Sequence, residues 1–156
     1  MYMYVQHTVR TAYAIDYSHN FRTVKGDRLR GENGLDYYIK WMVDNENTPL
    51  NPGPAFGFVQ AIEAVNCALL ELDPDEKHLF DVVLMTNNHA QCAVRYLNTI
   101  RHHKLNIERI CFTAGRTVVE YLEAYNTNLY LSTDMGKVKE MVLNLLSKLC
   151  YFLLRK

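Results

Sequence analysis

An excess of charge of either sign is missing from this sequence, in which 17 lysines and arginines stand against 17 aspartates and glutamates. A neutral balance builds no broad field for a phosphate backbone, so nucleic acid is not an expected partner. Long apolar runs are missing too, none approaching the roughly 18 residues that cross a bilayer. The start, Met1-Tyr2-Met3-Tyr4-Val5-Gln6-His7, has neither the basic opening nor the apolar core of a secretion signal. A cytoplasmic protein with no membrane partner is therefore expected. Cysteine is sparse: Cys67, Cys92, Cys111 and Cys150 lie far apart, without the paired spacings of a zinc site or a redox motif. Each sits in an apolar pattern, and all four read as buried, reduced core residues. The six histidines make no metal-binding pattern either. What is present is 156 residues, enough for one domain with a core that needs no disulfide or metal staple.

Along the chain, apolar patterns of two kinds alternate. Thr8 to Ile15 is mostly apolar or β-branched and stops at Asp16-Tyr17-Ser18-His19-Asn20, as a strand does on entering a loop. Residues 22–34 are charged and contain glycine, and after them Leu35, Tyr38, Ile39, Met42 and Val43 recur at helical spacing. The segment Thr48 to Pro54 holds three of the four prolines and breaks the chain before a second helix, Ala55 to Leu72. Leu79, Phe80, Val82, Val83, Leu84 and Met85 form an apolar block ending at Thr86-Asn87-Asn88, the pattern of a strand covered on both faces. A helix over Ala90 to His102, a strand over Ile107 to Phe112, a helix over Val118 to Tyr125 and a strand over Leu129 to Leu131 follow. A leucine-rich helix from Lys137 to Leu154 closes the pattern. Strand and helix in alternation predict an α/β fold, a Rossmann-like three-layer domain with a mainly parallel sheet and right-handed crossovers. Residues 35–72 form a helical, cap-like insertion after the first strand.

In such sheets ligands bind beyond the carboxyl ends of the strands. Those ends carry Asp16, with Ser18 two positions on; Thr86-Asn87-Asn88; Arg116; and Ser132-Thr133-Asp134. Phosphoryl transfer through an aspartyl intermediate needs a carboxylate nucleophile, a hydroxyl and a cation for the phosphate, and acids for a divalent metal. Asp16 is the candidate nucleophile, Thr86, Asn87, Asn88 and Arg116 the phosphate or substrate contacts, and Asp16 with Asp134 the metal ligands. The order resembles the haloacid-dehalogenase-like phosphatases, whose first strand ends Asp-x-Asp. Ser18 stands where that superfamily has its second acid, and Ser132-Thr133 where an acidic pair would be.

Three runs carry a closer likeness: Asn45 to Phe56, Phe80 to Gln91 (Phe-Asp-Val-Val-Leu-Met-Thr-Asn-Asn-His-Ala-Gln), and Asn126 to Ser132. They resemble the N-terminal half of the type I cytosolic 5′-nucleotidases over roughly Asp36 to Val142. The resemblance implies hydrolysis of nucleoside 5′-monophosphates, AMP among them, with Mg2+. It also implies a chain about twice as long, because the family's Asp-Gly-Asp-Ala-Val nucleophile motif belongs to its second half and does not occur here. From Leu143 onward the tail departs from the family pattern. A chain lacking a C-terminal half, or one that self-associates, is expected, and a catalytically inactive nucleotide-binding or regulatory module is the alternative.

Each candidate also has an ordinary structural role. Asp16 can cap its own turn, and Thr86 with Asn87 and Asn88 can start the next helix. Arg116 and Asp134 fit solvated loop positions, and His89 a helix start. Tyr37, Tyr38 and Trp41 suit either base stacking or core packing.

Overall fold

The computed structural model describes residues 11–16, 21, 22, 24–74, 79–132 and 134–143. In chain order its elements are β1 (Thr11–Asp16), β2 (Phe21–Arg22), α1 (Val24–Asn33), α2 (Leu35–Asp44), β3 (Asn51–Pro52) and α3 (Phe56–Leu72). Next come β4 (Phe80–Thr86), a 3-10 turn (Ala90–Cys92) leading into α4 (Ala93–His102), β5 (Arg109–Phe112), α5 (Val119–Leu122), β6 (Thr127–Leu131) and helical residues 135–143. The strands β5-β4-β1-β6, in that order, form one sheet in which every pair is parallel. β2 and β3 form a small antiparallel ladder apart from it.

Period-two alternation divides the core into two layers. On one face Ile15, Val82 and Leu84 meet Tyr38 and Met42 of α2, Val59 and Ile62 of α3, and Tyr96 and Ile100 of α4. On the other face Ala14, Val83, Met85 and Cys111 meet Val118, Val119 and Leu122 around α5, with Met141 of the following helix against them. The centres of β1 and β4 are covered from both sides, Ala12, Ala14, Ile15 and Val82 to Met85 being buried, which is why these stretches read as apolar. The expected α/β, Rossmann-like architecture is therefore present. Segment 35–72 supplies much of one covering layer.

Polar side chains finish the joints. Asn66 of α3 is buried and bonds Phe80 at both backbone groups, donating to its carbonyl at 2.7 Å and accepting from its N–H at 3.0 Å, so it acts as a short extra strand at the start of β4. Asn128 accepts the Ala12 N–H at 2.9 Å where the β1–β6 register shifts. The proline-rich connector is stitched to α4. Leu50 N–H donates to Thr99 Oγ1 at 3.1 Å, Arg95 Nε to the Thr48 carbonyl at 3.0 Å, and Asn98 Nδ2 to the Glu46 carbonyl at 3.0 Å. Arg95 is buried, its guanidinium 4.4 Å from the centre of the Trp41 ring, and Tyr38 is buried with Trp41 packed against the core, whereas Tyr37 is exposed.

Several sequence expectations are corrected. The charged stretch 22–34, where no helix is expected, holds α1 (Val24–Asn33), so among the described residues three helices, not two in series, lie between β1 and β4. Its helical period is hidden because it has almost no apolar stripe, and Gly34, at φ 86°, makes the joint to α2 that a residue with a Cβ would resist. The proline segment is not only a break, since Asn51–Pro52 pairs with Phe21–Arg22. Cys67 is exposed on α3, whereas Cys92 and Cys111 are buried as expected. β5 starts at Arg109, α5 spans only Val119–Leu122, β6 begins at Thr127, and the last helix is already helical at 135. Cys150 and the tail beyond residue 143 lie outside the described residues.

Candidate functional site

The chain passes from β1 to β4 to β5 on one side of the sheet and then places β6 on the other side of β1. The direction of winding reverses between β1 and β6, and at such reversals open α/β sheets bind ligands beyond the carboxyl ends of their strands. Position 16 closes β1. Asp16 pairs with Met85, one residue before Thr86, and Ile15 pairs with Leu131, one residue before Ser132. The register thus brings three of the sequence-marked strand ends together at backbone level. Ser18 and Thr133 lie outside the described residues.

Beyond β4, the loop 86–89 is locked to the turn after β5. Thr113 N–H donates to the Thr86 carbonyl at 2.9 Å, Ala114 N–H to the Asn88 carbonyl at 3.2 Å, and Gly115 N–H to the Asn87 carbonyl at 2.7 Å. Ala114 and Gly115 both have positive φ, 50° and 90°; glycine supplies the second at little cost, and the cross-loop bonds hold the first. The Thr86 side chain is buried, and its Oγ1 accepts the Asn88 N–H at 3.2 Å.

Asn88 is the centre of this corner. Its side chain is buried and donates to the hydroxyls of Tyr38 at 3.1 Å and Tyr96 at 2.6 Å, tying the strand-end loop to α2 and α4. Its Oδ1 accepts from Arg30 Nη1 of α1 at 3.5 Å. An amide with both ends engaged inward orients the loop around Thr86 and Asn87. His89 lies outside on the same loop, exposed, its Nδ1 accepting the Gln91 N–H at 3.3 Å as the 3-10 turn begins.

Two other candidates take local roles. Asp134 is exposed, and its Oδ1 accepts the N–H groups of Gly136 at 2.8 Å and Lys137 at 3.3 Å, as a helix N-cap does. Arg116 is exposed at the end of its turn, where its carbonyl accepts from Thr113 Oγ1. No bond from its guanidinium to the strand-end loops is seen among the described residues. Arg30 does reach this corner, and sequence reading passed over it because residues 22–34 show charge and glycine and no helical apolar spacing. The one available signal was its place in the charged run that follows β1.

Among the described residues no group of three or more His, Cys, Asp or Glu side chains could hold a metal ion. With the Asp134 Oδ1 committed to helix capping, the described donors do not fit a magnesium site.

The buried Cys92, at the end of the 3-10 turn, has its thiol pushed up to about 11 by burial, against the lowering influence of Arg30 and Arg95. Its neutral form is favoured by folding, so this contribution to stability is full below the unfolded thiol's pKa and is lost as pH rises from about 9 toward 11. At pH 8, iodoacetamide followed by peptide mapping is expected to label Cys67 within minutes and to leave Cys92 and Cys111 protected until the chain is unfolded. Equal labelling of Cys67 and Cys92 in the folded protein would contradict this packing.

No helix among the described residues is long and apolar enough to cross a membrane. No solved structure matches the chain. Human cytosolic 5′-nucleotidase 1B is 48% identical to it over 122 residues, which is 78% of this chain and 20% of that relative. The chain thus spans about a fifth of the length of the curated relative it matches. The family model described as 5′-nucleotidase matches residues 6–148, including every strand end described above. On the extent of that match, the chain belongs to the 5′-nucleotidase family.

Proposed function

We propose that this chain forms part of a cytoplasmic 5′-nucleotidase that hydrolyses nucleoside 5′-monophosphates of the AMP type, and that its strand-end corner holds the phosphate. One observation carries the reading: in a chain of this family, the end of β1 at Asp16 lies beside the end of β4 at Thr86, next to the reversal of the sheet. The name of the human relative, a cytosolic 5′-nucleotidase, supports both the substrate class and the compartment. In this reading the Thr86 hydroxyl and the Asn87 region bind phosphate oxygens. The Asp16 carboxylate attacks phosphorus as the bond to the nucleoside's 5′-oxygen breaks. That oxygen leaves with a proton, and water then releases phosphate from the aspartyl ester. The proton donor is not among the described side chains. Magnesium is part of the proposal through the family resemblance, and its ligands would have to include groups beyond the described set.

A second reading is a nucleotide-binding module that does not hydrolyse its ligand. The engagement of Asp134 as a helix cap favours it, because that carboxylate is then less available to a metal.

Calorimetric titration of the chain with AMP separates binding from its absence. Binding is expected, and Thr86→Val, which keeps shape and removes the hydroxyl, is expected to weaken it about 10-fold or more, the range for a hydrogen bond to a charged group. Wild-type chain that takes up neither AMP nor inorganic phosphate would reject both readings.

A further inference from the structure

Among the described side chains, Arg30 is a cation at the strand-end corner with no paired carboxylate. It stands in the last turn of α1, half-buried, with Nη1 3.5 Å from the Asn88 Oδ1. That distance is at the outer limit of a hydrogen bond, and the acceptor is a neutral amide. Its helix neighbour Arg28 pairs with Glu32 at 2.8 Å, Lys40 pairs with Asp44, and Arg109 pairs with Asp81. Among the described side chains Arg30 pairs with no carboxylate. A guanidinium offers five N–H donors in a planar fork suited to a carboxylate or phosphate, and partial burial raises the cost of leaving such a charge uncompensated. The charge acts on the corner itself, since Arg30 is the leading electrostatic influence on Cys92 at the start of α4. Arg116, the cation nominated by its place after β5, is exposed instead.

We infer that Arg30 is a substrate-binding residue that neutralises the phosphate dianion of the nucleotide at the ends of β1 and β4, and that Asn88 positions its guanidinium. The inference rests on the proposed nucleotide-binding reading and adds to it a residue from α1. It makes α1, despite its polar composition, a contributor to the site. A cation delivered from the segment after β1 also makes the site sensitive to how that segment packs on α2, to which Gly34 joins it.

The test is calorimetric titration of the full 156-residue chain and its Arg30→Gln, Arg30→Lys and Arg116→Gln variants with AMP, adenosine and inorganic phosphate, with a thermal melt of each. Arg30→Gln is expected to weaken AMP and phosphate about 10- to 100-fold, as loss of a charge-assisted contact does. It should leave adenosine binding and the melting temperature unchanged. Arg30→Lys should recover part of the loss, because it restores the charge and not the fork, and Arg116→Gln should bind as wild type does. Undiminished AMP binding by Arg30→Gln, or the loss appearing in Arg116→Gln instead, overturns the role of Arg30 and leaves the nucleotide reading standing. An equal loss for adenosine and AMP, accompanied by a lower melting temperature, makes Arg30 structural and also overturns it. Failure of the wild-type chain to bind either AMP or phosphate removes the nucleotide reading and this inference with it.

Discussion

Replacing Asn88 by leucine is expected to lower stability by about 3 kcal/mol, because two buried tyrosine hydroxyls lose their amide partner and each such loss costs about 1–3 kcal/mol. For a chain of this size that corresponds to a fall of about 6–12 °C in melting temperature. The change is nearly isosteric, so the cost comes from hydrogen bonding and not from volume. Tyr38→Phe combined with Tyr96→Phe removes the other side of the same network, and adding both to Asn88→Leu should recover part of the loss, since the hydroxyls that faced the amide are then absent. A thermal melt of Asn88→Leu within about 2 °C of wild type would show that the amide does not bind the loop to α2 and α4 as described. The same substitution bears on function, because the loop it anchors carries Thr86 and Asn87.

Asp16→Asn is expected to reduce phosphate release from AMP by the chain, assayed with magnesium, on the order of 10³-fold or more, as removal of a nucleophile does in enzymes that work through a covalent intermediate. Asparagine keeps the side chain's size and its capacity to accept a hydrogen bond, so a role limited to capping the turn after β1 would leave the rate little changed. Release that persists in the variant would assign the nucleophile elsewhere. Absence of release from a folded wild-type sample that still binds AMP would favour the non-hydrolytic module and remove the nucleophile role from Asp16. The comparison with AMP binding matters because the chain corresponds to only 20% of the length of its human relative.

These two residues illustrate different kinds of legibility. Asp16 was marked by position alone, as the first acid after an apolar strand, and the parallel register then set it beside Met85 and next to Thr86. Asn88 was marked as a ligand contact because it follows a strand end, yet its amide is directed to Tyr38 and Tyr96. No local pattern distinguishes an asparagine that faces a ligand from one that faces two buried hydroxyls 8 and 50 positions away. Asp134 was assigned to metal from its place after β6, while the Asp-x-Gly-Lys spacing equally suited the N-cap it forms. Arg30 was missed for a related reason. The sequence of helix α1 has almost no apolar stripe and the composition of a loop, and only the tertiary contact with Asn88 places Arg30 beside the strand-end corner.

By itself the sequence determined the alternation of strands and helices, the parallel character of the sheet and the family, because continuous apolar blocks, loop punctuation and extended runs of matching residues are properties of neighbouring positions. Tertiary structure alone decided which strand ends meet, which of two cations reaches them, that Cys67 faces solvent and that Asn88 faces the core. Those outcomes depend on contacts between residues far apart in the chain, chosen by the geometry of the sheet and the burial of polar groups, and short-range pattern carries no record of them.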